Sequence, residues 1–127
     1  MRRTLALTAV AALGLVACGE DEGSVSDGAG AAGSADTALT VTATDDACTL
    51  SATTATPGSI AFTVTNSGSK VNEFYVYSGE DIVGEVENIG PGLTRTLTVD
   101  DVAAGTYETA CKPGMSGDGI RAAFTVR

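Results

Sequence analysis

From Ala38 to Arg127 the chain alternates. Leu39-Thr40-Val41-Thr42-Ala43 switches between apolar and hydroxyl residues, and Ser59 to Thr65 puts Ile60, Phe62 and Val64 on one face at period two. Leu93 to Val99 repeats the pattern, with Leu93, Leu97 and Val99 expected inward and Arg95 interrupting. Shorter β-favouring runs stand at Cys48 to Ala52, Phe74 to Tyr77, Ile82 to Val86, Thr106 to Cys111 and Ile120 to Arg127. Between them lie Asp45-Asp46, Thr56-Pro57-Gly58, Asn66-Ser67-Gly68 and a loop over Ile89 to Gly92. No stretch after the N-terminal segment sustains a 3.6-residue period. Seven or eight short strands at this spacing predict an all-β sandwich. Ninety residues are enough for one small core, and neither an internal repeat nor a second domain is visible.

The N-terminus reads differently. Met1-Arg2-Arg3 is basic, and Leu5 to Val16 is apolar apart from Thr8 and Gly14. Twelve residues are too few for a permanent bilayer helix but fit a signal-peptide core. The run ends Leu15-Val16-Ala17-Cys18, which resembles the bacterial lipobox. Residues 1–17 are thus expected to be a lipoprotein signal peptide, with Cys18 as the lipidated first residue. The alternative is an ordinary signal peptide cut elsewhere, with Cys18 incidental. Residues 18–37 are rich in Gly, Ala, Ser and acids, and Val25 is their only larger aliphatic side chain. Such a stretch buries too little apolar surface to offset ordering. It is expected to be a disordered tether, reaching about 25 Å on average. The expected location is the outer face of the bacterial cell membrane.

The full chain carries a formal charge of -9, and residues 38–127 hold eleven acids against five bases. That surface repels nucleic acid and anionic lipid. It suits a cation or a basic partner, and also plain solubility. Three cysteines leave Cys48 and Cys111 as a pair if Cys18 carries lipid. In an oxidising compartment they read as a disulfide. Closing a loop of that length is worth about 4 kcal/mol in the chain-entropy account. As thiolates they read instead as soft metal ligands. Both readings stay open on the sequence.

The last quarter, Gly105-Thr106-Tyr107-Glu108-Thr109-Ala110-Cys111-Lys112-Pro113-Gly114-Met115, returns two sulfur atoms within five residues. A strand-end thiolate and a thioether across a Pro-Gly turn can face one point, as in small β-sandwich copper proteins. The order Gly-x-Tyr-x-x-x-Cys with a following Met resembles the cupredoxins. Two further blocks, Asn72 to Tyr77 and Val83 to Gly92, join Cys111 to Arg121 in matching the EfeO-type cupredoxin-like domain of bacterial iron-uptake proteins. The resemblance spans roughly residues 38–127. It implies a cupredoxin-like Greek-key sandwich that binds copper or iron and serves iron uptake or one-electron redox, with other iron-uptake components as partners.

By that resemblance Glu73 stands where cupredoxins carry their first His, and Gly114 where the loop His would be. The chain has no His, which excludes a His₂Cys(Met) blue site. The expected metal set is Cys48, Glu73, Cys111 and Met115. Glu85 and Glu87, at period two on one strand, form a possible second, oxygen-rich site with Asp118. Asp118 between Gly117 and Gly119 reads equally well as a turn residue. Tyr107 is expected to be a structural corner. A Ser-His-Asp triad and a His-based metal hydrolase are excluded by composition. No phosphate-binding glycine loop precedes a helix, so no enzyme is expected. Larger EfeO-type proteins add a helical domain with a His-x-x-Glu motif, which this sequence lacks. The alternative function is a metal-free sandwich, stapled by Cys48–Cys111, that contacts other envelope proteins.

Overall fold

The computed structural model describes residues 34–127, and the folded unit runs from Ala35 to Arg127. The signal peptide, Cys18 and most of the tether lie outside the described residues. The tether's last two residues belong to the sandwich. Ser59 donates from its backbone N–H to Asp36 Oδ2 at 2.8 Å, and the first strand starts at Thr37.

Nine strands form: β1 (Thr37–Ala43), β2 (Cys48–Leu50), β3 (Thr54–Ala55), β4 (Gly58–Asn66), β5 (Asn72–Ser78), β6 (Asp81–Ile89), β7 (Thr94–Val102), β8 (Gly105–Cys111) and β9 (Ile120–Val126). They build a four-stranded sheet in the order β2-β1-β4-β7 and a five-stranded sheet in the order β3-β9-β8-β5-β6. β1 runs parallel to β4 and β3 parallel to β9; the other pairs are antiparallel. The two-residue β3 is the strand that the sequence pattern did not separate.

The core lies between the sheets and follows the alternation. Leu39, Val41 and Ala43 of β1 and Ile60, Phe62 and Val64 of β4 are buried. They meet Phe74 and Val76 of β5 and Phe124 and Val126 of β9. Phe62 is the central ring, 5.2 Å from Phe74 and 5.6 Å from Phe124 between centroids. It thereby ties both sheets together through tilted and edge-on aromatic contacts.

Where the alternation fails, an extra residue restores it. Gly58 pairs with Val102 and Ile60 with Val99, so β7 carries one residue more than β4 across this step. Asp101, at φ 54°, sits in that bulge, and Val99 and Val102 both stay buried. Asn88, at φ 56°, does the same between Val86 and Ile89 on β6. Ile89, expected in a loop, therefore ends a strand and is fully buried. Leu93, expected inward, is 52% exposed, because it lies in the turn before β7 and not on the strand. At Gly84 a Cβ would come within 2.5 Å of Val99 Cγ2, so glycine lets β6 close on β7.

The Phe62→Ala variant is expected to lose about 3–5 kcal/mol of unfolding free energy. A domain of this size has about 5–14 kcal/mol in total. Denaturant titration followed by near-ultraviolet circular dichroism measures the loss; a change under 1 kcal/mol would show that Phe62 is not the central contact.

Candidate functional site

Cys48 opens β2 in one sheet, and Cys111 closes β8 in the other. The two are joined by a disulfide across the sandwich, with their Cα atoms 5.6 Å apart. Cys111 is fully buried in the core, and Cys48 is partly buried against it. Of the two readings left open by the sequence, this structure contains the staple. Neither sulfur is a free thiolate ligand in this state.

The pleat separates Glu73 from Cys111. Cys111 pairs with Phe74, and both point into the core. Glu73, one residue earlier on β5, points to the outer face. There Tyr75 donates its hydroxyl to Glu73 Oε2 at 3.1 Å. The backbone of Glu73 still meets the cysteine loop, since its carbonyl accepts from Lys112 N–H at 2.9 Å. Met115 lies in the 3-10 turn Pro113–Met115, at φ 56°, and is 41% exposed. That turn is pinned by Gly114 N–H donating to Val71 O at 2.7 Å. Gly119 completes the loop, because a Cβ there would stand 2.7 Å from the Cys111 carbonyl oxygen. The expected set Cys48, Glu73, Cys111 and Met115 is thus split between a core disulfide, an outer sheet face and an exposed turn.

The second expected set is also divided. Glu85 and Glu87 lie on β6, the edge of the five-stranded sheet. Asp118 lies in the loop between β8 and β9, with β5 and β8 intervening in the sheet order. Its carbonyl oxygen accepts from Arg121 Nε at 3.0 Å. Among the described residues, no group of three or more His, Cys, Asp or Glu side chains is placed to hold a metal ion.

What the outer face does assemble is a tyrosine-centred network. Tyr75 and Tyr77 stack with centroids 5.6 Å apart. Lys112 Nζ lies 4.1 Å from the Tyr75 centroid, and Arg121 Cζ lies 4.3 Å from that of Tyr77. These are cation–π distances. Arg121 also pairs with Glu108 at 2.8 Å. Besides Glu73, Tyr75 reaches Glu87 Oε1 at 3.3 Å. Burial, the hydrogen bond to Glu73 and the charges of Glu73, Glu87 and Glu85 all push the Tyr75 phenol well above its ordinary value. The signal for this network was present in the sequence, as Glu73, Tyr75 and Tyr77 at period two. Tyr107 does form the expected corner, donating its hydroxyl to Ala103 O at 2.7 Å.

A second feature not anticipated is the polar lining at the loop end. Asn66 and Asn72 are fully buried. Asn66 Nδ2 donates to Lys70 O and Ile89 O at 2.7 Å each. Asp45 accepts from the backbone N–H groups of Ser69 and Lys70 and from the Ser69 hydroxyl. Those bonds, led by the Ser69 hydroxyl, hold the Asp45 carboxyl below its ordinary range.

A sandwich of this order, with a cysteine ending β8 and a Tyr corner at its start, defines a cupredoxin-like architecture. The cupredoxin-like domain family matches residues 7–126, and the chain belongs to that family. Among solved structures, the dithionite-reduced auracyanin of Roseiflexus castenholzii aligns with a TM-score of 0.55 at 17% identity. That alignment covers 75% of this chain and 99% of the auracyanin. Auracyanin B aligns with a TM-score of 0.60 at 16% identity, covering 75% of this chain and 91% of its own. Auracyanin A, a "blue" copper protein of Chloroflexus aurantiacus, aligns at 0.52 and 16%, covering 71% and 99%. At these identities the likeness is one of fold. No curated protein matches the chain significantly. The EfeO-type subdivision is not distinguished by these matches.

The residues present do not fit the copper centre that the fold implies. Imidazole is absent from the chain, the buried cysteine is bonded to sulfur, and the one carboxylate beside it on β5 faces away.

Alkaline titration tests the outer-face network. A phenol raised in the folded state contributes stability that is full below the unfolded pKa and is lost as pH rises above it. Unfolding free energy should therefore fall above about pH 10, and fall less in Tyr75→Phe. Difference absorbance near 295 nm between wild type and Tyr75→Phe should show the Tyr75 phenol ionising only with unfolding. A Tyr75 phenol ionising in the folded protein near its ordinary value would refute the network.

Proposed function

We propose that the chain is a non-enzymatic, extracytoplasmic recognition module, held at the membrane through Cys18. Its cupredoxin-like sandwich is stapled at the position where copper relatives carry a ligand. The Cys48–Cys111 disulfide is the observation that carries this reading. It occupies the only two thiols of the folded part and joins the two sheets there. The resemblance to EfeO-type domains supports a setting in iron acquisition, with the module contacting other uptake components. The acidic surface favours basic partners over nucleic acid. No helix among the described residues is long and apolar enough to cross a membrane. The lipobox-like run ending at Cys18 is what supports the anchor.

A second reading keeps the metal. Reduction would free two thiols whose Cα atoms stand 5.6 Å apart, a pair of soft donors suited to copper more than to iron. Metal binding would then require reduction, and the two readings part on one measurement.

Protein purified under oxidising conditions and offered copper or iron is expected to hold neither metal stoichiometrically. Thiol titration of the domain lacking Cys18 should find no free thiol. Reductant should lower its stability by about 4 kcal/mol and leave Cys48→Ser unchanged. Stoichiometric metal on the oxidised domain, or two free thiols as purified, would overturn the staple reading in favour of a metal site.

The anchor is tested separately. Cys18→Ala should move the protein from the membrane fraction to the soluble one, while the released domain keeps the wild-type circular dichroism spectrum. Stable anchoring needs two membrane signals, such as two acyl chains. Sedimentation of Cys18→Ala with salt-washed membranes would rule the assignment out.

A further inference from the structure

The sandwich has a seam at one side, packed shut at Gly84 and Val99 but with neither sheet continued by hydrogen bonds among the described residues. β6 is the last strand of one sheet and β7 the last strand of the other, and among the described residues neither edge pairs further. Near the start of β6 and the end of β7 the seam holds a cleft of about 230 Å³. Its walls are Val83, Val99, Val102, Ala103 and Tyr107, with Asp100 and Asp101 among its lining. Val83 is 38% exposed, and neighbouring Ile82 is 51% exposed. The Tyr107 ring is held in place by its hydroxyl bond to Ala103 O. The cleft is smaller than a typical small-molecule pocket and suits one or two apolar side chains.

The bulge on β7 shapes the rim. An unbulged strand would turn one of two successive residues inward. With the extra residue at Asp101, both Asp100 and Asp101 are exposed while Val99 and Val102 line the wall. Neither carboxylate has an ion-pair partner among the described residues. Glu80 and Asp81, exposed at the start of β6, add two acids near this end. Arg95, the single base on β6 or β7, stands at the far end of β7.

We propose that this cleft is a docking site for a basic partner segment, which inserts an apolar side chain between Val83 and Val102 and sets a flanking Lys or Arg against Asp100 and Asp101. Charge decides among occupants. The chain's own tether carries Glu20, Asp21, Glu22 and Asp27 and would be repelled. A second copy would bring the same acids face to face. A cationic segment with alternating apolar residues meets both the walls and the rim. The proposal rests on the reading of the chain as a recognition module and names its partner's chemistry.

The probe is a capped pentapeptide alternating lysine with leucine and phenylalanine. Its counterpart has glutamate in place of lysine. Both are titrated into oxidised, chelator-treated domain and followed by amide nitrogen–proton NMR, so that metal uptake does not enter. The lysine peptide should shift Val83, Val99 to Ala103 and Tyr107, and the glutamate peptide should shift none of them. Asp100→Asn with Asp101→Asn should weaken binding about two- to tenfold and flatten its salt dependence; Asn tolerates the positive φ at 101. Val83→Glu, at a partly exposed position, should abolish binding while leaving the spectrum otherwise folded. Shifts centred on Tyr75 and Lys112, equal binding of both peptides, concentration-dependent self-association at the seam, or no shift at millimolar peptide would each overturn the proposal. Failure here with no metal on the oxidised domain would remove the docking site and leave the staple standing.

Discussion

One covalent bond decides what the loop end of this sandwich can do. Cys48 and Cys111 come from different sheets, so their disulfide holds the two layers together where the loops after β1, β4, β6 and β8 gather. Phe62 does the same work in the middle of the core through van der Waals contact. The two fastenings differ in kind. Burial of Phe62 stabilises the folded state directly, whereas the disulfide acts mainly by restricting the unfolded chain. A domain with so few aromatic side chains gains from both.

The same bond also changes the chemistry of a familiar position. In a copper-binding sandwich, a thiolate at the end of the penultimate strand is available to a metal. Here that sulfur is buried and already bonded. The neighbouring Glu73 gives its carboxylate to Tyr75 on the opposite face. Membership in the cupredoxin-like family therefore describes how the backbone is wound and leaves the site to be argued residue by residue.

How far the sequence revealed this depends on the scale of the feature. The two-layer fold was legible because Ile60, Phe62 and Val64 alternate without a break, and Tyr107 carried its corner role openly. Ile89 was not legible, because the Asn88 bulge shifts the phase of β6 by one residue and nothing local marks it. The expected ligand set is divided in this structure for a different reason. Glu73, Cys111 and Met115 are close along β5, β8 and the turn, but closeness of backbone is not closeness of side chain. A one-residue step along β5 moves a carboxylate from the core face to the outer face. The pairing Phe74 to Cys111 decides which residue shares the sulfur's side, and that pairing is a long-range fact. The disulfide was one of two readings the cysteine count allowed, and only the distance between the strands could choose.

The staple and the unpaired seam complement each other. A docking surface loses affinity when binding must also order it. Closing the loop end by a covalent bond, the core by Phe62 and the β8 corner by Tyr107 leaves the β6–β7 seam as an edge on a rigid frame. The bulge at Asp101 then has a purpose beyond repairing register. It keeps Val99 and Val102 in the wall while turning two successive carboxylates outward, an arrangement that strict alternation cannot produce. Under the docking proposal, net negative charge would steer basic partners to the surface, and the apolar wall would select among them. The docking proposed at this seam would thus be specified by edge-strand geometry, at a site that needs no metal to form.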